Sequence, residues 1–133
     1  MPLKAIRLEL ARDPDHPQGS SQFGYEFLAP IDEDGHIDAD AWRENRKSCR
    51  VWRFWAGEDD EYGHLVHTRS GSWAFHYDIA GDPDEDEAGF RFDSHRFTEG
   101  EYVSLREQDG ELRTFHVVSI RPAITSRLAV APT

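Results

Sequence analysis

Hydrophobic and polar positions alternate with period two along most of this chain, the signature of half-buried β-strands. From Leu3 to Leu10, Ile6, Leu8 and Leu10 fall on one side and Arg7 and Glu9 on the other. Phe23, Tyr25, Phe27, Ala29 and Ile31 repeat the pattern after a loop, ARDPDHPQGSSQ, so a second strand is expected to pair with the first. Pro30 cannot donate to a ladder and marks an end or an edge. Alternation lapses at Asp34-Gly35, where Asp38 is placed to cap a helix and Ile37 to staple onto Trp42. One short helix is expected near residues 39–48, with Trp42, Asn45 and Cys49 facing the sheet.

Arg50–Tyr77 holds three of the four tryptophans and reads as three antiparallel strands. With a two- or four-residue loop centred on Ser70-Gly71, Thr68 pairs with Trp73 and Val66 with Phe75. Trp52, Phe54, Val66, Trp73, Phe75 and Tyr77 then form a core face, and Arg53, Trp55, Leu65, His67, Ala74 and His76 the opposite one. A slip of one residue exchanges the two sets. Phe90 and Phe92 suggest a further short strand, and EYVSLREQDGELRTFHVVSI reads as a hairpin. A three-residue loop of Gln108, Asp109 and Gly110, with glycine left-handed, puts Val103, Leu105, Phe115 and Val117 on one face. The tail after Pro122 has no evident partner. About eight strands and one helix describe a mainly β (α+β) chain. Its antiparallel sheet is curled into a small barrel or folded as a two-sheet sandwich. At 133 residues, with no internal repeat, residues 1–133 are expected to form one domain.

Charge narrows the partners. The formal net charge is −11, yet Trp42–Trp55 carries five cations against Glu44 alone, a local balance of +4 that leaves −15 elsewhere. Such a chain repels phosphate backbones and anionic bilayers, so neither nucleic acid nor a membrane is expected. The basic stretch reads as a solvated helix face, paired in part with the protein's own acidic loops. The single cysteine excludes an internal disulfide, and the N-terminus has no continuous apolar core of a signal peptide, so a cytoplasmic location is expected.

Chemistry is sparse. Arg53, Trp55, His67 and His76 share the second face of the meander, with the two imidazoles diagonal at roughly 7 Å. An arginine fork beside imidazoles and an indole suits a carboxylate or phosphate. No zinc-type spacing occurs, and the run Asp82, Asp84, Asp86 departs from a calcium loop at Glu87, where glycine is needed. No metal or other cofactor is therefore expected. Cys49 lies at a helix C-terminus, where a thiolate is disfavoured, and reads as a core residue. The expected function is a non-enzymatic binding or interaction module for a small anion or a protein. A hydrolase-like enzyme using His67 or His76 as base, with or without a metal, is the alternative. MPLKAIRLELARDP, RFWAGEDDE and GEYVSLREQDGELRTFHVVSI resemble stretches of small bacterial proteins of unknown function, which implies no activity and no site residues.

Overall fold

The computed structural model describes residues 1–69, 71–77, 87–90, 96–107 and 110–129, with only the backbone described for 87–90. Eight antiparallel strands follow one another around a closed barrel. They are β1 (Leu3–Leu10), β2 (Ser20–Pro30), β3 (Arg50–Trp55), β4 (Glu61–His67), β5 (Trp73–Tyr77), β6 (Glu87–Phe90), β7 (Tyr102–Arg106) and β8 (Leu112–Pro122). Closure comes from β8 returning to β1, with Ile6 opposite Ile120 and Leu10 opposite Phe115. Closing the sheet removes both edges, and eight strands leave an interior that side chains can fill. Ile6, Leu8, Tyr25, Phe27, Phe75, Leu105, Phe115 and Val117 fill it.

Helix α1 (Ala39–Glu44) and a 3₁₀ turn (Arg46–Ser48) connect β2 to β3 across the lower end. Asp38 caps α1 as its sequence position implies, accepting from the Ala41 N–H at 2.8 Å. The regular helix is shorter than the expected 39–48. Asn45 leaves helical geometry (φ −128°) and its side-chain amide donates back to the Ala41 carbonyl at 2.7 Å. That back-bond competes with continuation of the helix. Trp42 nevertheless plugs the lower end, its indole N–H donating to the Leu65 carbonyl at 2.9 Å.

The two hairpins close in the same way. Glu107 and Glu111 close the last one, leaving three residues between them with Gly110 at φ +84°, and Val103 faces Phe115 as expected. Thr68 and Ser72 close the β4–β5 hairpin, again with three residues between and Gly71 at φ +89°. Three residues, rather than two or four, shift the pairing by one. Trp73 lies opposite His67, Phe75 opposite Leu65, and His76 opposite His64. Leu65 and His67 therefore share the interior side with Trp73, Phe75 and Tyr77, while Val66 and His64 face outwards. In β3, Val51, Arg53 and Trp55 take the inward positions, facing Phe27, Tyr25 and Phe23 of β2. Trp52 and Phe54, expected in the core, lie on the outside.

That outside is itself covered. The tail, expected to be without a partner, forms two 3₁₀ turns (Ala123–Thr125 and Arg127–Ala129) against β1–β3. Leu128 joins Ala5 and Leu28 in a small second core, with Trp52 and Tyr62 packed beside it. A buried carboxylate pins the tail: Glu26 accepts from Ser126 Oγ at 2.5 Å and Arg121 at 3.0 Å. Arg7 approaches the same group at 3.5 Å and lies over the Phe54 ring at 4.3 Å. The expected strand at Phe90 coincides with β6; Phe92 lies outside the described residues, as do Asp82, Asp84 and Asp86.

Candidate functional site

The four residues expected to form one binding face do not share one. Arg53, Trp55 and His67 occupy interior positions, whereas His76 points outwards beside His64. The physical reason is the one-residue shift set by the glycine in the β4–β5 loop, because side chains alternate faces with every residue. Arg53 and His67 are also at opposite ends of the barrel. Arg53 faces Glu61, and His67 lies six positions further along β4, ~20 Å away at the usual rise of a strand.

At the upper end, Arg53 belongs to a charged network in the mouth of the barrel. Glu107, only 4% exposed, accepts from the Tyr25 hydroxyl, from Arg113 Nη1 at 2.8 Å, and from Arg53 Nε and Nη2 at 3.4 Å each. Arg53 Nη1 donates to Glu58 at 3.2 Å and lies 3.6 Å from Glu61. The Trp55 ring sits beneath both guanidiniums, with centroid distances of 4.4 Å to Arg53 and 5.6 Å to Arg113. An arginine surrounded by three carboxylates of its own chain has its charge matched internally. The mouth therefore ties the tip of the last hairpin to β2 and β3.

At the lower end, His67 stacks on Trp73 at 4.2 Å and 21°, with its Nε2 3.1 Å from the Gly71 carbonyl oxygen. Trp42 meets both rings edge-on. The histidine serves here as an aromatic plate in the plug. Burial pushes the Cys49 thiol up to about 12, the direction that its place at the end of the helix connection suggested, with desolvation as the cause. Among the described residues, Asp32, Asp34 and His36 are the one group whose donor atoms come within 4.8 Å of one another. Asp32 Oδ1 already accepts from the Asp34 and His36 amides, as in an Asx turn.

Another set of side chains open to a ligand lies on the outer wall at the lower end. A cleft of about 400 Å³ runs between the 3₁₀ turn at residues 46–48 and the C-terminal turns. Leu3, Leu28 and Leu128 line it with Ala123 and Ala129, and Lys47, Ser48 and Arg50 stand over it. Arg50 is outward because it has the parity of Trp52 and Phe54 in β3; its guanidinium lies 6.0 Å from the Tyr62 ring. Arg127 donates to the Tyr62 hydroxyl at 3.4 Å and covers Trp52 at 3.8 Å. Arg46 lies over Trp42 at 5.2 Å. None of Arg46, Lys47 and Arg50 has a carboxylate partner among the described residues, whereas Arg43 pairs with Asp40 at 2.9 Å. The +4 balance of residues 42–55 is the sequence signal for this rim. Its apolar floor has no such signal, because Leu3, Leu28 and Leu128 come from three distant segments.

Fold and surface define an antiparallel eight-stranded β-barrel with a charged, internally paired mouth and a cationic cleft on its outer wall. Against protein-family models, curated protein sequences and solved structures, the chain finds no match in any of the three comparisons.

Proposed function

We propose that this chain is a non-enzymatic binding module that captures a small anion at the cationic rim formed by Arg46, Lys47 and Arg50. The observation that carries the reading is the clustering of cations without a carboxylate partner beside a cleft. In a chain with 26 carboxylates and 15 cations, Arg7, Arg43, Arg53, Arg113 and Arg121 all have carboxylate partners. Arg46, Lys47 and Arg50 have none among the described residues, and neither do Lys4, Arg12, Arg69, Arg96, Arg106 and Arg127. The latter six are scattered along the chain, whereas Arg46, Lys47 and Arg50 are neighbours: Lys47 and Arg50 line the cleft, and Arg46 lines an adjoining depression that Lys47 shares. A lysine point charge and arginine forks together suit a carboxylate or phosphate. The large negative charge of the remaining chain opposes an extended polyanion and favours an anion small enough to engage the rim alone. The ligand surface thus moves from Arg53, Trp55, His67 and His76, because Arg53 is matched by Glu58, Glu61 and Glu107 and His67 is packed on Trp73.

Titration of the ¹⁵N-labelled chain with citrate tests this. Saturable amide shifts are expected over residues 46–50, weakening with added salt and lost in K47E/R50E. Shifts centred elsewhere, or an affinity unchanged in that variant, would refute the assignment.

A further inference from the structure

The floor of the cleft says more about the ligand than the rim does. A fully hydrophilic anion seated there would lose hydration against Leu3, Ala123 and Ala129, which overlie the buried Leu28 and Leu128, with no hydrogen bond from them in exchange. We infer that the ligand is a small amphipathic anion, a carboxylate or phosphate head carrying a short apolar chain, with the head at Lys47, Ser48 and Arg50 and the chain along Leu3, Ala123 and Ala129, beneath which Leu28 and Leu128 are buried. This inference rests on the anion-binding reading above and deepens it.

Three features support it. The cleft volume, about 400 Å³, falls at the small end of cavities that hold small molecules, ~300–1,000 Å³. The floor is held in place before any ligand arrives, because Glu26 fixes Ser126, and the Ser126 hydroxyl in turn accepts from the Leu128 N–H at 3.1 Å. The charged and hydroxyl side chains of the lining all come from residues 47–50, and the apolar ones come from β1, β2 and the C-terminal turns, which gives a ligand an orientation as well as a place. A free amphiphile is favoured over a bilayer because the −15 carried outside residues 42–55 opposes approach to an anionic membrane surface.

The test compares octanoate, butyrate and 1-octanol, each titrated into the full ¹⁵N-labelled chain. Octanoate is expected to shift the amides of Lys47, Ser48, Arg50, Leu128 and Ala129 together. It has four more methylenes than butyrate; a fully buried methylene is worth about fourfold in affinity, so half-burial in an open cleft predicts about fifteenfold tighter binding. K47E/R50E should weaken octanoate at least tenfold. Ala129→Trp, at an exposed position that the larger ring would use to fill the cleft, should weaken octanoate and leave citrate unchanged. Equal affinities for butyrate and octanoate would overturn the apolar-chain inference while leaving the anion reading intact. Octanol binding as tightly as octanoate, with no effect of K47E/R50E, would overturn both. No octanoate shifts at the cleft would overturn the inference, with the citrate titration then deciding the anion reading separately.

Discussion

Replacing Glu107 by alanine tests whether charge pairing holds the barrel mouth together. The side chain is 4% exposed and accepts from Tyr25, Arg113 and Arg53. These partners do not lose equally. Arg113 is 26% exposed and keeps Glu111 at 3.3 Å, so water and that carboxylate take over. Arg53, with only 11% of its side chain exposed, keeps Glu58 at 3.2 Å and Glu61 at 3.6 Å. Glu58 is itself 59% exposed, so it compensates Arg53 only in part. The Tyr25 hydroxyl loses a hydrogen bond to a charged group, worth about 1.5–3 kcal/mol. A partly compensated Arg53 adds about 1–2 kcal/mol, below the 3–5 kcal/mol of a buried pair broken outright. The expected loss is about 2.5–5 kcal/mol, a large share of the ~5–15 kcal/mol by which a domain is stable. Urea denaturation followed by tryptophan fluorescence measures it, with an unchanged slope showing that the barrel itself persists. Arg53→Met combined with Glu107→Leu should lose less than Glu107→Ala alone, since no buried charge is then stranded. A loss below about 1 kcal/mol for Glu107→Ala would refute the reasoning. So would a Tyr25→Phe/Glu107→Gln cycle with coupling under about 0.5 kcal/mol.

Two further predictions address the wall and the core. A Cβ on Gly63 would stand 2.1 Å from the His76 carbonyl oxygen and 2.7 Å from Tyr77 Cα, both backbone atoms of the adjoining strand. Gly63→Ala should therefore cost about 3 kcal/mol or more in a urea melt, at the upper end of overpacking effects; a loss under about 1 kcal/mol would show that the strands separate easily there. Burial raises the Cys49 thiol from 9.0 to about 12, so above pH 9 the unfolded chain ionises while the folded one does not. Stability that is fully present below pH 9 is then lost with rising pH by up to ~1.4 kcal/mol per unit, until the folded thiol also ionises near 12. Comparing melts of the parent chain and Cys49→Ala from pH 8 to 10.5 isolates this slope, and parallel curves would exclude it.

Much of the architecture was legible because it is written in local patterns. Period two marked β1 and β2 and their pairing, Asp38 marked the start of α1, and the Gln-Asp-Gly loop set the face shared by Val103 and Phe115. The meander departs from its local pattern at the β4–β5 turn. Ser70-Gly71 suits several loop lengths, and Gly71 as the third residue of a three-residue loop exchanges the faces of β4. Trp73, Phe75 and Tyr77 are buried as expected, while Val66 trades places with Leu65. Trp52 and Phe54 go outside with Val66 and His64 by the same shift, and hydrophobicity gives no warning of it. An outer wall covered by Arg7 and the C-terminal turns accepts large apolar side chains, so hydrophobicity no longer distinguishes inside from outside.

By itself, the sequence determined a mainly β chain, its strand order along the polypeptide, one capped helix and a cluster of cations in an acidic background. Each of these depends on residues within a few positions of one another. Only the tertiary structure decided that β8 closes onto β1, that Arg53 is matched by Glu107 from fifty-four positions away, and that Leu3, Leu28 and Leu128 meet beneath Lys47 and Arg50. The reason is physical: local preference sets the conformation of a segment, but which face it buries, and against what, follows from loop closure and packing between distant parts of the chain.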